Sequence, residues 1–211
     1  MAANFIAISG MPSSGRSVLA ATYLDAVRGA GGDGRLVQPL KADSGTIRRL
    51  AVLRAPQRGV TELGLGWPAR ERILGDYLSS RLTAIAETEV KPALARGITV
   101  IADRWVIDHD VNQAFFATGS EPADALGQVR PPGLPRPSVT AVLVVPVGVA
   151  VGRAQRAGTG PRSQDRDFLA HAKRSYESAA TAHGALLLDG ELPVKRLVAL
   201  LQEAVDRSHG G

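Results

Sequence analysis

Eight residues near the N-terminus, Gly10-Met-Pro-Ser13-Ser14-Gly15-Arg16-Ser17, have the types and spacing needed to hold phosphate. Glycines at both ends let a loop curl until successive main-chain N–H groups point inward, and a helix starting behind it adds about half a positive charge. The spacing is that of the G-x-x-x-x-G-K-[ST] loop, with arginine in place of lysine. Arg16 then stands where β- and γ-phosphates would lie, and the Ser17 hydroxyl stands where Mg²⁺ would take a ligand. Arginine is not a neutral replacement: its planar fork grips phosphate oxygens bidentately, whereas a lysine ammonium follows a migrating phosphoryl group as a compact point charge. Binding should tolerate the change better than catalysis.

A second stretch, Gly97-Ile-Thr-Val-Ile-Ala-Asp103-Arg104-Trp105, is a β-branched run ending in an acid. That is the pattern of a buried parallel strand whose carboxyl end carries function. Asp103 could accept a water from Mg²⁺, and Arg104 could hold the phosphate of an acceptor; an Asp–Arg surface pair is the plainer alternative. A third stretch, Gly158-Thr-Gly-Pro-Arg162-Ser-Gln-Asp-Arg166, is small, polar and basic without apolar period. It suits a lid over a charged substrate, at about 157–167, or else a solvated loop with incidental arginines.

These residues need a frame to bring them together, and the chain alternates strand and helix in a way that supplies one. Strands are expected at the short run before Gly10 that holds Ile6 to Ile8, Gly34 to Leu40, the run ending at Asp103, Val139 to Val147 and Ala185 to Asp189. The helices expected between them begin near Gly15, run from Pro68 to about Leu94 with a kink at Pro92, then Asp108 to Gln113 as a polar helix, Val149 to Ala157, Phe168 to Ala182 and Leu192 to Val205. Lys41 to Thr46 reads as a polar loop leading into Ile47 to Leu50. Arg54 to Gly66 and Thr118 to Arg136 are weakly patterned. Five strands joined by helices, with the phosphate loop after the first, predict a single α/β domain over 1–211: a doubly wound, five-stranded parallel sheet.

Composition narrows the function. The 211 residues carry a formal charge of +5, yet lysine occurs only at 41, 91, 173 and 195, so arginine supplies the basicity. Aromatics make up 4% of the chain and are not interleaved with basic runs, which argues for small phosphorylated ligands over nucleic acid. The absence of cysteine excludes disulfides and thiolate metal sites. No apolar run is long enough to cross a bilayer, and the N-terminal apolar residues are needed by the first strand; a cytoplasmic protein is expected.

The order of phosphate loop, Lys91-Pro92-Ala-Leu-Ala-Arg-Gly97 running into Asp103-Arg104-Trp105, and basic lid resembles the thymidylate kinases among the P-loop nucleoside monophosphate kinases. Gln113 falls at the family's spacing after the aspartate, and Phe168 and Tyr176 match the helix after the lid. The resemblance covers nearly the whole chain. It implies strand order 2-3-1-4-5, transfer of the ATP γ-phosphoryl group to a nucleoside 5′-monophosphate with Mg²⁺, and a homodimer formed through long helices. By position it implies ATP contacts at Gly10, Ser13, Ser14, Gly15, Arg16, Ser17 and Val18, with Arg153 or Arg156 near the adenine. It puts the acceptor at Lys41, Tyr77, Arg81, Arg104, Trp105, His109, Asn112 and Gln113. Asp103 would serve the metal with Ser17, and Arg162 or Arg166 would neutralise the group in transit.

The chain departs from the family at several of these places. The loop has no acid, Ser9 and Pro12 standing at the two candidate positions, and the Arg-Glu-Pro-Gly-Gly segment is replaced by Val37-Gln38-Pro39-Leu40-Lys41. Leu82 stands where the family has its base-reading arginine, with Arg81 beside it. Altered polar groups around the base should reject the family's usual acceptor, because buried donors and acceptors left unpaired are costly. Three readings follow: a nucleotide kinase with a changed acceptor, a small-molecule kinase with a non-nucleotide acceptor, or a nucleotide-binding protein without turnover.

Overall fold

β1 (Phe5–Gly10) is a β-branched run, and all six of its residues are buried. A strand buried on both faces belongs in the middle of a parallel sheet, and β1 pairs in parallel with β3 (Thr99–Asp103) on one side and β4 (Val139–Val144) on the other. β2 (Gly34–Val37) pairs outside β3, and β5 (Leu186–Asp189) outside β4. The order is therefore 2-3-1-4-5, all parallel, as the resemblance implied. In this computed structural model the described residues are 3–41, 67–117, 131–160 and 164–209, with 67–74 and 112–117 described for their backbone alone. The segments predicted at Ile47 to Leu50 and Arg54 to Gly66 lie outside them.

Successive side chains on a strand point to opposite faces, and the core divides accordingly. Ile6, Ile8, Ala141 and Leu143 pack against α1 (Arg16–Gly29) and α7 (Val194–His209). On the other face, Phe5, Ala7 and Val100 meet α2 (Trp67–Ile85) and α3 (Lys91–Ala95). Beside them, Val142 and Val144 meet α4 (Val106–Ala117), α5 (Val147–Arg156) and α6 (Arg166–Ala182). Helices thus cover both faces, and the loops at the carboxyl ends of β1, β3 and β4 share one edge.

Three local features differ from the simple pattern. Around Pro92 the long helix is not α-helical throughout: the turn before it, Ala86–Val90, opens into a π-helix, and α3 follows. Proline lacks an N–H and its ring crowds the carbonyl four residues back, which the wider turn before it accommodates. β2 stops at Val37, short of Pro39. The helix expected to be polar, α4, starts at Val106 and buries Asp108, His109 and Asp110. Where the lid was expected, Gly158 and Thr159 close the end of α5 through bonds to Gln155 and Ala154. Asp165 caps α6, accepting from the N–H groups of Asp167 and Phe168 at 2.9 and 3.0 Å.

Candidate functional site

The loop between β1 and α1 has the geometry its glycines require. A Cβ on Gly10 would lie 2.4 Å from the Leu143 carbonyl of β4, so no larger residue can pass there. Gly15, the residue before α1, has φ 99°, a conformation that is cheap only for glycine. The first turn carries no side-chain cap, and the N–H groups of Gly15, Arg16, Ser17 and Val18 make no hydrogen bond among the described residues. Unsatisfied donors at a helix N-terminus form an anion site. Ser17 and Val18 are exposed beside them, and the Ser17 hydroxyl is unpartnered. Ser14 is buried, its hydroxyl without a hydrogen bond.

Arg16 does not extend outward from this loop. Its Nη1 donates to the Gly10 carbonyl and, at 3.4 Å, to that of Met11. Its Nε lies 3.4 Å from Oδ1 of Asp103, and Nη1 lies 3.9 Å from Oδ1 of Asp108. The side chain is only 11% exposed. Asp103, at the end of β3, accepts from Gln38 Nε2 at 2.8 Å through its other oxygen. Asp108, in the first turn of α4, accepts from the Tyr176 hydroxyl at 2.8 Å and from the Trp105 N–H at 3.3 Å. The second of these bonds caps α4 by the reach-back of an N3 acid to the N-cap N–H.

Arg104 follows directly on Asp103 with φ 78°, left-handed for a residue that has a Cβ. Its N–H donates to Ile8 at 2.9 Å, anchoring the kink to β1. Its guanidinium makes no hydrogen bond or ion pair among the described residues. Burial, and after it the positive charge of Arg16, lower its pKa from the ordinary arginine value. A half-buried guanidinium with no partner among the described residues, on a backbone kink at the strand end, has the chemistry to receive an anion. The same neighbourhood acts oppositely on Tyr176: burial, then the negative charge of Asp108, push its hydroxyl well above the usual value. Tyr176 therefore serves Asp108 as a neutral donor.

The remaining sequence candidates divide into those the fold brings to this edge and those it does not. Arg153 reaches across to the loop, donating from Nη1 to the Ser13 and Ser14 carbonyls at 3.3 and 3.1 Å and from Nη2 to Gly190 at 2.9 Å. Its guanidinium ties the β1–α1 loop to the β5–α7 turn. Arg81 on α2 donates to the carbonyls of Pro39 and Lys41 and to the Tyr77 hydroxyl, tying the β2 end to the helix. Leu82 beside it is fully buried. Trp105 is buried, edge-on to Phe5 at 5.1 Å. His109 does not face the edge: 1% exposed, it is bonded through Nε2 to Ser79 Oγ at 2.8 Å and through Nδ1 to Asp110 at 3.1 Å. Arg156 and Arg166 are exposed. Arg162 and the side chains of Asn112 and Gln113 lie outside the described residues. Asp108, Gln38 and Tyr176 gained contacts that their sequence neighbourhoods did not reveal; only the residue types, a second acid and a hydroxyl, hinted at them.

The loop pattern and the resemblance imply magnesium at Ser17 and Asp103. Ser17 offers a free hydroxyl, but both Asp103 oxygens face partners, a guanidinium and an amide. Among the described residues no group of three or more His, Cys, Asp or Glu is placed to hold a metal ion. Asp103 therefore does not fit the role of a metal ligand as it stands.

An all-parallel 2-3-1-4-5 sheet with a glycine-bracketed loop after its central strand is the fold of the P-loop nucleoside monophosphate kinases. In sequence the chain is similar to thymidylate kinases. It is 30% identical over 120 residues to a probable thymidylate kinase of Methanospirillum hungatei, a match covering 55% of this chain and 58% of that one. It is 24% identical to a thymidylate kinase of Vibrio parahaemolyticus over 98% of this chain and 97% of the other. No family model matches.

Proposed function

We propose that the chain is a phosphotransferase that moves the γ-phosphoryl group of ATP to a small phosphorylated acceptor, a nucleoside monophosphate or an analogue of one. The observation that carries this reading is a pair of adjacent anion sites: the open N–H groups from Gly15 to Val18, and one strand away the unpartnered guanidinium of Arg104. The first suits a polyphosphate tail and the second an acceptor phosphate. Both relatives are named as thymidylate kinases, which favours a nucleotide acceptor over other phosphate esters. Gln38 and Leu82 differ from the family pattern, so thymidine monophosphate is not the acceptor we expect to react fastest.

Phosphoryl transfer asks for positioning and charge neutralisation more than for covalent chemistry. On this reading the loop N–H groups hold the β-phosphate, Arg153 keeps the loop rigid, Arg104 aims the acceptor oxygen in line, and Arg162 and Arg166 neutralise the group in transit. Val18 and Arg156 would flank the nucleoside, and Lys41, Tyr77, Asn112 and Gln113 the acceptor. Magnesium, when present, would arrive chelated by the triphosphate, with Ser17 as this chain's contact. Two copies would associate through their long helices, giving twice the 22.1 kDa chain mass by light scattering.

A steady-state assay of ADP formation, with a panel of nucleoside monophosphates and unphosphorylated acceptors and with products identified by mass, tests the proposal. ADP release that requires a phosphorylated acceptor is the expected result. Release with unphosphorylated acceptors alone would move the assignment to a non-nucleotide kinase. The position of Arg16, clasped inside the loop, favours a second reading as a nucleotide-binding protein without turnover; ATP binding with no phosphorylated product would select it.

A further inference from the structure

Why the phosphate loop carries arginine has an answer in what surrounds the guanidinium. On one side it donates to the Gly10 and Met11 carbonyls; on the other it meets the carboxylates of Asp103 and Asp108. A five-donor planar fork can face both sides at once, whereas an ammonium is a single point with three donors. Arg16 Nε and Asp103 Oδ1 face each other as an ion pair at 3.4 Å, both buried and neither making a hydrogen bond among the described residues. The other oxygen of Asp103 takes Gln38, and Asp108 takes Tyr176 and the Trp105 N–H. The two acids are thus arranged around a cation already in place.

We infer that Arg16 is a resident counter-ion occupying the cation position between Asp103 and Asp108, so that the anion-binding edge is charge-balanced by arginine and captures polyphosphate without a divalent metal ion. The charges support this. Two buried carboxylates beside a phosphate site would repel the ligand unless a cation held them. With Arg16 committed to both, Arg104 is, among the described residues, a cation beside these acids whose guanidinium makes no hydrogen bond or ion pair and can receive the anion. If Arg16 left to follow a phosphate, it would expose two negative charges to the incoming group. The inference rests on the phosphate-binding reading above only for its nucleotide arm.

Titration of the full chain with Mn²⁺ alone, followed by electron paramagnetic resonance, tests the metal arm. The native protein should leave manganese free, and folded Arg16→Gln should take up one ion at the unmasked acids, with Asp103→Asn in the same chain abolishing the uptake. Manganese bound by the native protein would overturn the inference, as would a folded Arg16→Gln that binds none. Calorimetry of ATP binding in excess chelator and in magnesium tests the nucleotide arm. Affinities within about threefold are expected, and a loss of about tenfold or more in chelator would overturn the inference. ATP binding in neither condition would remove the phosphate-loop reading, while the manganese result on native protein would still decide the role of Arg16.

Discussion

Arg104 combines two costs, a left-handed backbone and a partly buried guanidinium without a partner among the described residues. A non-glycine residue in that region costs roughly 1–3 kcal/mol and persists only where the surroundings enforce it. Here the enforcement is the Arg104 N–H bond to Ile8 and the packing of Trp105 beneath it. Stability and function should therefore part company at this residue. Arg104→Gly removes both costs and should hold or raise unfolding free energy, exceeding Arg104→Ala by about 1 kcal/mol in denaturant titration. Both variants should lose turnover by about a hundredfold or more through loss of the acceptor-phosphate contact. A glycine variant that turns over normally would remove Arg104 from the site. Gly10→Ala makes the converse case: its methyl group would sit 2.4 Å from the Leu143 carbonyl, so β1 and β4 must separate. It should lower the midpoint of thermal unfolding and abolish nucleotide binding together.

At the scale of elements, helix α4 is held by bonds from three directions, through Ser79 on α2, Tyr176 on α6, and His183 just beyond α6, whose Nε2 lies 3.4 Å from Asp110. Burial alone would raise the pKa of Asp110, but the hydrogen bond from His109 and the His183 ring 3.4 Å from its other oxygen outweigh it and leave the value below the ordinary 3.8. The sign follows: with the folded value depressed, this contribution is complete above 3.8 and is lost as pH falls through the folded value. Asp110→Asn should cost about 1–3 kcal/mol near neutrality, a deficit that shrinks as unfolding is measured at pH values progressively below 3.8. A deficit constant with pH would mean that packing, not charge, is what the side chain supplies. This helix also marks where the sequence stopped being informative. β1 and β3 were legible because β-branched runs bounded by glycine or by an acid are local signals. The loop was legible because its glycine spacing is local too. The burial of Asp108, His109 and Asp110 was not, because their partners Ser79, Tyr176 and His183 lie far along the chain, and periodicity carries no record of contacts at such separations. The same holds for Gln38 and Asp103, 65 residues apart. The clasped position of Arg16 depends on that pair and on Asp108, so the motif disclosed the residue but not its partners.

At the scale of the molecule, the site draws on strands from both halves of the sheet, since β1 lies between β3 and β4 and the loop touches both. Arg153 adds a tie from the loop to the β5–α7 turn. A polyphosphate bound there would bridge the packing on both faces, so unfolding any one layer must first release the ligand. Nucleotide should accordingly move the whole unfolding transition rather than split it. At a concentration about a hundred times its dissociation constant, a ligand adds about 2.7 kcal/mol, and for a chain of this size that corresponds to a rise of about 5–10 °C in the midpoint. Calorimetric scans with and without ADP would show one transition displaced upward. The displacement should diminish with added salt, because exposed charges are screened beyond about 10 Å at 0.1 M ionic strength, and a basic chain, at +5, draws polyanions partly through that long-range field. Two resolved transitions, with only one displaced by ADP, would show instead that the loop and its two neighbouring strands do not act as one cooperative body.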